Sequence, residues 1–186
     1  MSSPASVSGD ERIRLFVAYT LAPDDRERLS AWQRAELAES RARLVPREHL
    51  HFTIAFLGPR PREEIEPIAE VIRSAASGAG TMPLELLRYR ETRSVGMLVF
   101  EDETGEATRV AEAIQHGLEE IGVYKREGRP WLPHVTILRF RTPPRLHPEL
   151  PELGPISPSE AAAYHSVLRR DGAQHDVLRS VALGGR

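Results

Sequence analysis

The sequence contains no cysteine, which excludes disulfides, thiolate zinc sites, iron–sulfur clusters and cysteine nucleophiles. It is also poor in lysine: Lys125 is the only one, and 25 basic residues against 27 acidic ones give a formal net charge of −2. A strongly basic surface that would coat DNA is therefore excluded, and contact with nucleic acid must come from a local patch or a phosphate pocket. No apolar run approaches the ~20 residues that span a bilayer, so no membrane contact is expected.

The chain length and composition indicate one compact domain. It has 186 residues, 40% of them apolar and 28% charged, which is typical of a globular protein. Residues 1–11 are rich in serine, glycine and proline and lack the basic and apolar regions of a signal peptide, so a disordered tail is predicted there. We expect residues 12–186 to form a single domain, monomeric and cytoplasmic.

Strand-like segments alternate with three helical ones, which favours an α/β or α+β fold. The first helix is predicted from Pro23 to about Ser40, the second from near Pro67 to Ser77, and the third from a cap at Thr104 to Gly122. Strands are predicted over residues 13–21, 44–46, 51–57, 83–88, 95–100 and 134–140, with two more in 161–183 that turn at Asp171-Gly172.

One short pattern occurs twice. His51-Phe52-Thr53-Ile54 and His134-Val135-Thr136-Ile137 share the order histidine, apolar, threonine, isoleucine, and they lie 83 residues apart. Side chains alternate across a strand, so each histidine shares a face with its threonine while the apolar residues point the other way. If two strand–helix–strand lobes pack about a pseudo-twofold axis, both imidazoles and both hydroxyls converge on one cleft.

This set of side chains suits displacement at phosphorus. Imidazole has an ordinary pKa near 6.5, so one ring can act as a base while the other carries a proton. Threonine hydroxyls can donate to the non-bridging oxygens, whose negative charge grows in the transition state. No metal ion and no cofactor are expected. The alternative is a metal site formed by His49, His51 and His134, which would leave the threonine pattern unexplained.

The paired motifs resemble those of the two-histidine (2H) phosphoesterase superfamily. Residues 51–58 (HFTIAFLG) are similar to the first motif of the RNA 2′,3′-cyclic phosphodiesterases, also called 2′-5′ RNA ligases, and residues 133–139 (PHVTILR) are similar to the second. The segments 14–18 and 164–183 match the ends of the family. Isoleucine stands at the fourth motif position in both copies, where leucine is commoner.

The resemblance implies an α+β fold with two pseudo-symmetric antiparallel-sheet lobes, helices outside and a central cleft. It implies hydrolysis of a terminal 2′,3′-cyclic phosphate on RNA to a 2′-phosphate, with ATP-independent 2′-5′ ligation as the related reaction. By position, His51 would be the general acid and His134 the general base, and Thr53 and Thr136 would bind the phosphate. The pseudo-symmetry leaves the reverse acid–base order open. Other readings are a module that binds RNA ends without turnover and an enzyme for small cyclic nucleotides.

Three further residues have two interpretations each. Arg139 follows His134 by five positions, so a regular strand places it on the opposite face, and only a bulge or the strand end would bring it to the phosphate; the alternative is an ion pair with an acidic residue at the surface. Phe56 is predicted on the core face, with stacking on a base as the alternative. Trp131 either fills the core or lines the cleft and stacks the terminal base.

Overall fold

A computed structural model describes residues 11–169 and 172–184 of the chain. The predicted tail lies outside the described residues except for Glu11, and so does the first position of the predicted turn at Asp171-Gly172. No helix of the described ranges is both long enough and apolar enough to cross a membrane. The elements are β1 Arg12–Thr20, α1 Pro23–Glu36, β2 Arg43–Leu44, β3 His51–Pro61, α2 Ile65–Ala76, β4 Glu85–Glu91, β5 Val95–Glu101, α3 Glu106–Glu120, β6 His134–Arg139, β7 Glu160–Arg169 and β8 Gly172–Ala182.

The strands form one continuous sheet in the order β4-β5-β6-β3-β1-β7-β8, and β2 pairs with the end of β6. Every pairing described is antiparallel. Strands β3 and β6 meet through one register pair, Phe52 with Val135. This pair joins the two halves of the sheet, and it consists of the apolar residues that stand between histidine and threonine in the two motifs.

The two halves repeat one unit. In the first, β1 leads through α1 to β3 and pairs with it; in the second, β5 leads through α3 to β6 and pairs with it. The predicted α+β fold with two pseudo-symmetric lobes is thereby confirmed, and the lobes share a single sheet because β3 and β6 are neighbours at its centre.

The helices cover one face of this sheet and form the main core with it. Leu29 of α1, Ile68 of α2 and Ile114 of α3 are fully buried in the same apolar cluster as Val17 of β1 and Val135 of β6. Burial of each such side chain contributes about 1.5–3 kcal/mol relative to exposure. The opposite face carries a smaller cluster made of Phe16, Ala18, Ala162 and Tyr164. That face is therefore the one available for a site.

Three predicted element ends were wrong. Helix α1 ends at Glu36, and a separate 3₁₀ turn follows at Ala38–Ser40. The N-cap of α3 is Gly105, with φ of 71°, while the Thr104 hydroxyl accepts a hydrogen bond from the Glu106 amide at 3.3 Å. Strand β3 continues past Gly58, because glycine adopts its φ of 71° at a bulge without steric cost.

Candidate active site

The register of β3 against β6 brings the two motifs together. With Phe52 opposite Val135, an antiparallel pair sets His51 opposite Thr136 and Thr53 opposite His134. The two imidazoles therefore occupy one diagonal and the two hydroxyls the other. All four side chains line a single cavity of about 720 Å³ on the open face of the sheet.

Both motif strands contain a β-bulge at the isoleucine. Against β1, Thr53 pairs with Ala18 and Ala55 with Val17, so Ile54 is the extra residue. Against β5, Thr136 pairs with Met97 and Leu138 with Gly96, so Ile137 is the extra residue. A bulge inverts the alternation of side chains beyond it. The residue five positions after each histidine therefore lies on the same face of the strand as that histidine.

This inversion accounts for the positions of two predicted residues. Arg139 lines the cavity together with His134, because β6 has the bulge that its odd spacing from His134 requires. Phe56 also lines the cavity and is 69% exposed, so its predicted place on the core face was wrong. Phe56 and Arg139 are equivalent positions of the two repeats, one aromatic and one cationic.

Each bulge is held by a buried glutamine. Gln33 of α1 donates its side-chain amide to the Ile137 carbonyl at 2.7 Å, and Gln115 of α3 donates to the Ile54 carbonyl at 2.8 Å. Their exposures are 1% and 8%, in a core that is otherwise almost entirely apolar. A buried carbonyl without a partner costs about 1–3 kcal/mol. Gln115 supplies a donor to the Ile54 carbonyl, whereas the Ile137 carbonyl also accepts a hydrogen bond from the Val45 amide at 2.9 Å, so Gln33 is a second donor there.

Both imidazoles are oriented in the same way. His51 Nδ1 lies 2.7 Å from the His49 carbonyl, and His134 Nδ1 lies 2.8 Å from the Leu132 carbonyl. A carbonyl only accepts, so Nδ1 carries the hydrogen in both rings and Nε2 is the nitrogen that exchanges a proton. His51 Nε2 accepts a hydrogen bond from the Thr53 hydroxyl at 3.0 Å.

The two imidazoles differ in their surroundings. Burial, followed by the neighbouring His175, lowers the pKa of His51 to about 3. Burial also lowers the pKa of His134, and Arg129 and Arg90 lower it further. Both rings are consequently neutral in the unliganded protein at pH 7, and His51 resists protonation more strongly.

Aromatic rings surround His51 on one side of the cavity. The ring of Phe16 lies 5.0 Å from that of His51, and the ring of His175 from β8 lies 5.6 Å from it. His175 also packs against His49 at 4.3 Å. Because the His49 carbonyl orients His51, His175 contacts both the imidazole and the residue that fixes its tautomer.

Trp131 does not line the cavity, and its predicted stacking role was wrong. It is 8% exposed, lies edge-on to Tyr19 at 5.6 Å, and donates its indole N–H to the Thr53 carbonyl at 2.9 Å. The indole needs a partner when buried, and this one fixes β3 at the first motif.

Sequence reasoning missed His175, Gln33 and Gln115. His175 lies 124 residues from His51 and belongs to no repeated pattern, so only the packing of β8 brings them together. The glutamines gave one usable signal, since each interrupts the apolar face of a helix. Within the described residues, no group of three His, Asp or Glu side chains is placed to hold a metal ion, which goes against the alternative of a His49–His51–His134 site.

Comparisons with known proteins agree with this geometry. A curated RNA 2′,3′-cyclic phosphodiesterase of Thermus thermophilus is 28% identical over 193 residues, covering 93% of this chain and 91% of the relative. A crystal structure of a Thermus thermophilus protein superposes with a TM-score of 0.77 at 29% identity, covering 93% and 99% of the two chains. Escherichia coli LigT complexed with NADP+ shares the fold, with a TM-score of 0.78 at 22% identity over 94% and 100%.

A family model that matches most of the chain, including both motif strands, shows the family of this protein. The family model described as the 2′-5′ RNA ligase superfamily matches residues 22–174, from the start of α1 into β8. With two His-x-Thr motifs on adjacent central strands, this chain belongs to the 2′-5′ RNA ligase superfamily.

Proposed function

We propose that the protein is an RNA 2′,3′-cyclic phosphodiesterase that opens a terminal cyclic phosphate to a 2′-phosphate, with His51 and His134 as the acid–base pair. One observation carries the proposal: both imidazoles line one cavity, each with Nδ1 bound to a backbone carbonyl and Nε2 left for proton transfer. The name of the Thermus thermophilus relative agrees with it.

In the proposed reaction, His134 Nε2 takes a proton from water as the water oxygen bonds to phosphorus. The bond from phosphorus to the 3′ oxygen breaks, and His51 Nε2–H gives its proton to that oxygen. The products are a 2′-phosphate and a free 3′-hydroxyl. Substituting the 5′-hydroxyl of a second RNA for water gives a 2′-5′ linkage without ATP, so the same site supports ligation.

Thr53 and Thr136 are proposed to donate hydrogen bonds to the non-bridging oxygens. Their charge grows in the transition state, so fixed donors stabilise it more than they stabilise the substrate. In the unliganded site the Thr53 hydroxyl donates to His51 Nε2. Bound phosphate replaces that acceptor, which leaves His51 Nε2 able to hold a proton for the leaving oxygen.

Phe56 and Arg139 are proposed to contact the rest of the substrate. Phe56 is 69% exposed at the cavity, and an exposed ring offers a stacking surface for the terminal base. Arg139 presents a guanidinium to the same cavity and suits a phosphate oxygen pair.

The assignment of His51 as the acid requires its proton to arrive with the substrate. Burial and His175 keep the ring neutral in the free protein, whereas the negative charge of a bound phosphate favours the protonated form. The reverse order, with His134 as the acid, is favoured by the same electrostatics of the free protein. The two orders are separable by experiment.

The first test is hydrolysis of an oligonucleotide that ends in a 2′,3′-cyclic phosphate, with identification of the product isomer. His51→Ala and His134→Ala should each lower kcat by about 10²–10⁴-fold and leave the circular dichroism spectrum unchanged. His147→Ala, at an exposed histidine outside the cavity, is the matched control and should keep full activity. Full activity of either active-site variant would refute the acid–base assignment.

The second test determines which histidine is the general acid and which is the general base. A substrate with sulfur in place of the 3′ oxygen has a leaving group that needs no protonation. We expect this substrate to restore most of the turnover of His51→Ala and little of that of His134→Ala. Rescue of His134→Ala instead would assign the acid to His134.

A further inference from the structure

Two arginines face each other on neighbouring strands at one end of the cavity. Arg43 of β2 is the register partner of Arg139 of β6, and both line the cavity. Like charges directly opposite each other across a strand pair are destabilising. The pair therefore has an energetic cost that an anion between the two guanidiniums would remove.

Nothing described in the protein supplies that anion. Nine other arginines of the described ranges pair with carboxylates, whereas Arg43 and Arg139 pair with none there. Among the described residues, those that line the cavity include no aspartate or glutamate, and Arg14 adds a third guanidinium. The cavity is thus cationic in a chain whose net charge is −2.

The charge of this pair reaches the neighbouring imidazoles. Burial is the main cause of the lowered pKa values of His49 and His175, and Arg43 lowers the first further while Arg139 lowers the second further. The two arginines are therefore close enough to the rings that an anion bound between them would change the electrostatic environment of His49 and His175.

The position of the pair differs from that of the reacting phosphate. The histidine and threonine side chains surround the Phe52–Val135 pair, whereas Arg139 lies beyond the Ile137 bulge at the far end of β6. When the two motifs hold the reacting phosphate, Arg43 and Arg139 remain free to bind a second phosphate. A 2′,3′-cyclic end carries its next phosphate on the 5′ oxygen of the same nucleoside.

We propose that Arg43 and Arg139 form a second anion-binding subsite, which takes the phosphate on the 5′ side of the terminal nucleoside. The inference rests on the proposed function for the position of the reacting phosphate. The subsite predicts that the substrates are RNA ends or nucleotides that carry a 5′-phosphate. It also predicts that cyclic mononucleotides with a free 5′-hydroxyl are poor substrates.

Binding of unreactive ligands tests the subsite without turnover. Isothermal titration should show adenosine 2′,5′-bisphosphate binding about tenfold or more tightly than adenosine 2′-phosphate, as a charge-assisted contact requires. In Arg43→Gln that ratio should fall close to one. Arg12→Gln removes the same charge from an exposed β1 residue outside the cavity, and it should keep the wild-type ratio. Equal affinities for the two ligands in the wild-type protein would overturn the subsite.

Kinetics with three substrates then identify the source of the second phosphate. They are adenosine 2′,3′-cyclic phosphate, its 5′-phosphorylated form, and a dinucleotide that ends in the same cyclic phosphate. Faster turnover of both larger substrates, lost in Arg43→Gln, supports recognition of any 5′ phosphate; an Arg43-dependent gain for the dinucleotide alone supports recognition of an internal diester. An advantage that survives Arg43→Gln overturns the assignment to these arginines.

The two proposals fail differently. If no substrate is hydrolysed but the bisphosphate preference depends on Arg43, the proposed function fails and the subsite stands. If all substrates are hydrolysed equally and the bisphosphate has no preference, only the subsite fails.

Discussion

The Gln33 side-chain amide donates to the Ile137 carbonyl at 2.7 Å, and this bond links the helix of one repeat to the motif strand of the other. Gln115 makes the reciprocal bond to Ile54 at 2.8 Å. Each amide stands at the bulge that turns the next site residue toward the cavity. The buried glutamines thus connect the packing of the helices to the placement of Phe56 and Arg139.

We predict that Gln33→Leu and Gln115→Leu lower both stability and activity. Leucine keeps the apolar packing but removes the side-chain donor, which costs about 1–3 kcal/mol where it leaves a buried carbonyl without a partner. The Ile137 carbonyl keeps the Val45 amide as a donor, so we expect Gln33→Leu to cost less than Gln115→Leu. Urea unfolding should show a lower midpoint with the same slope, and kcat/KM should fall because the bulges no longer fix the cavity-lining residues.

Gln174→Leu is the matched control, because that side chain is exposed on β8. It should leave the unfolding midpoint within experimental error of the wild type. Wild-type midpoints for both buried variants would contradict the role of these amides.

A second prediction concerns His175, which contacts His51 and His49. His175→Phe keeps an aromatic ring against Phe16 but removes the imidazole charge that lowers the pKa of His51. The pKa of His51 should rise, while staying below 6.5 because burial remains the larger cause. NMR titration of the His51 ring should show this shift, and the acid limb of kcat/KM against pH should move upward with it.

The control for this shift is His116→Phe, at an exposed histidine of α3 outside the cavity. It should leave the titration of His51 unchanged. An unchanged His51 pKa in His175→Phe would show that the two rings are not electrostatically coupled.

Phe56 and Trp131 should behave in opposite ways. Phe56→Ala removes an exposed ring from the cavity and should raise KM about tenfold or more, since stacking on one base is worth about 1–3 kcal/mol. Trp131→Phe removes the indole bond to Thr53 and should lower the unfolding midpoint with little change in KM. Steady-state kinetics and urea unfolding of both variants test the contrast. A raised KM in Trp131→Phe at wild-type stability would show that Trp131 contacts the substrate.

The duplicated motif was enough to predict the centre of the site. Alternation along a strand sets His51 beside Thr53 and His134 beside Thr136, and the meeting of the two strands follows from the pseudo-symmetry of the repeats. The monomeric state and the cytoplasmic location stay predictions.

The periphery of the site was not predictable in the same way. The faces of Phe56 and Arg139 depend on bulges at Ile54 and Ile137, and neither bulge has a glycine or proline that would reveal it. His175 reaches His51 only through the packing of a strand from the other end of the chain. Local pattern determines which residues share a strand face, whereas bulges and sheet packing determine which of them meet.

The last prediction is a loss of stability in mild acid. Burial lowers the folded-state pKa of His51 to about 3 and that of His175 to about 4, whereas both titrate near 6.5 in the unfolded chain. Their neutral forms contribute full stability above pH 6.5. As the pH falls below that value the unfolded chain binds protons that the folded protein rejects, so the free energy of unfolding must decrease. Urea unfolding at pH 7.5 and pH 5 isolates the imidazoles, because carboxylates titrate near pH 4. We expect His51 to account for up to about 2 kcal/mol of the decrease at pH 5. His51→Gln should therefore show a smaller decrease than the wild type, and His147→Gln an equal one; the same decrease in all three proteins would mean that His51 is not held neutral by the fold.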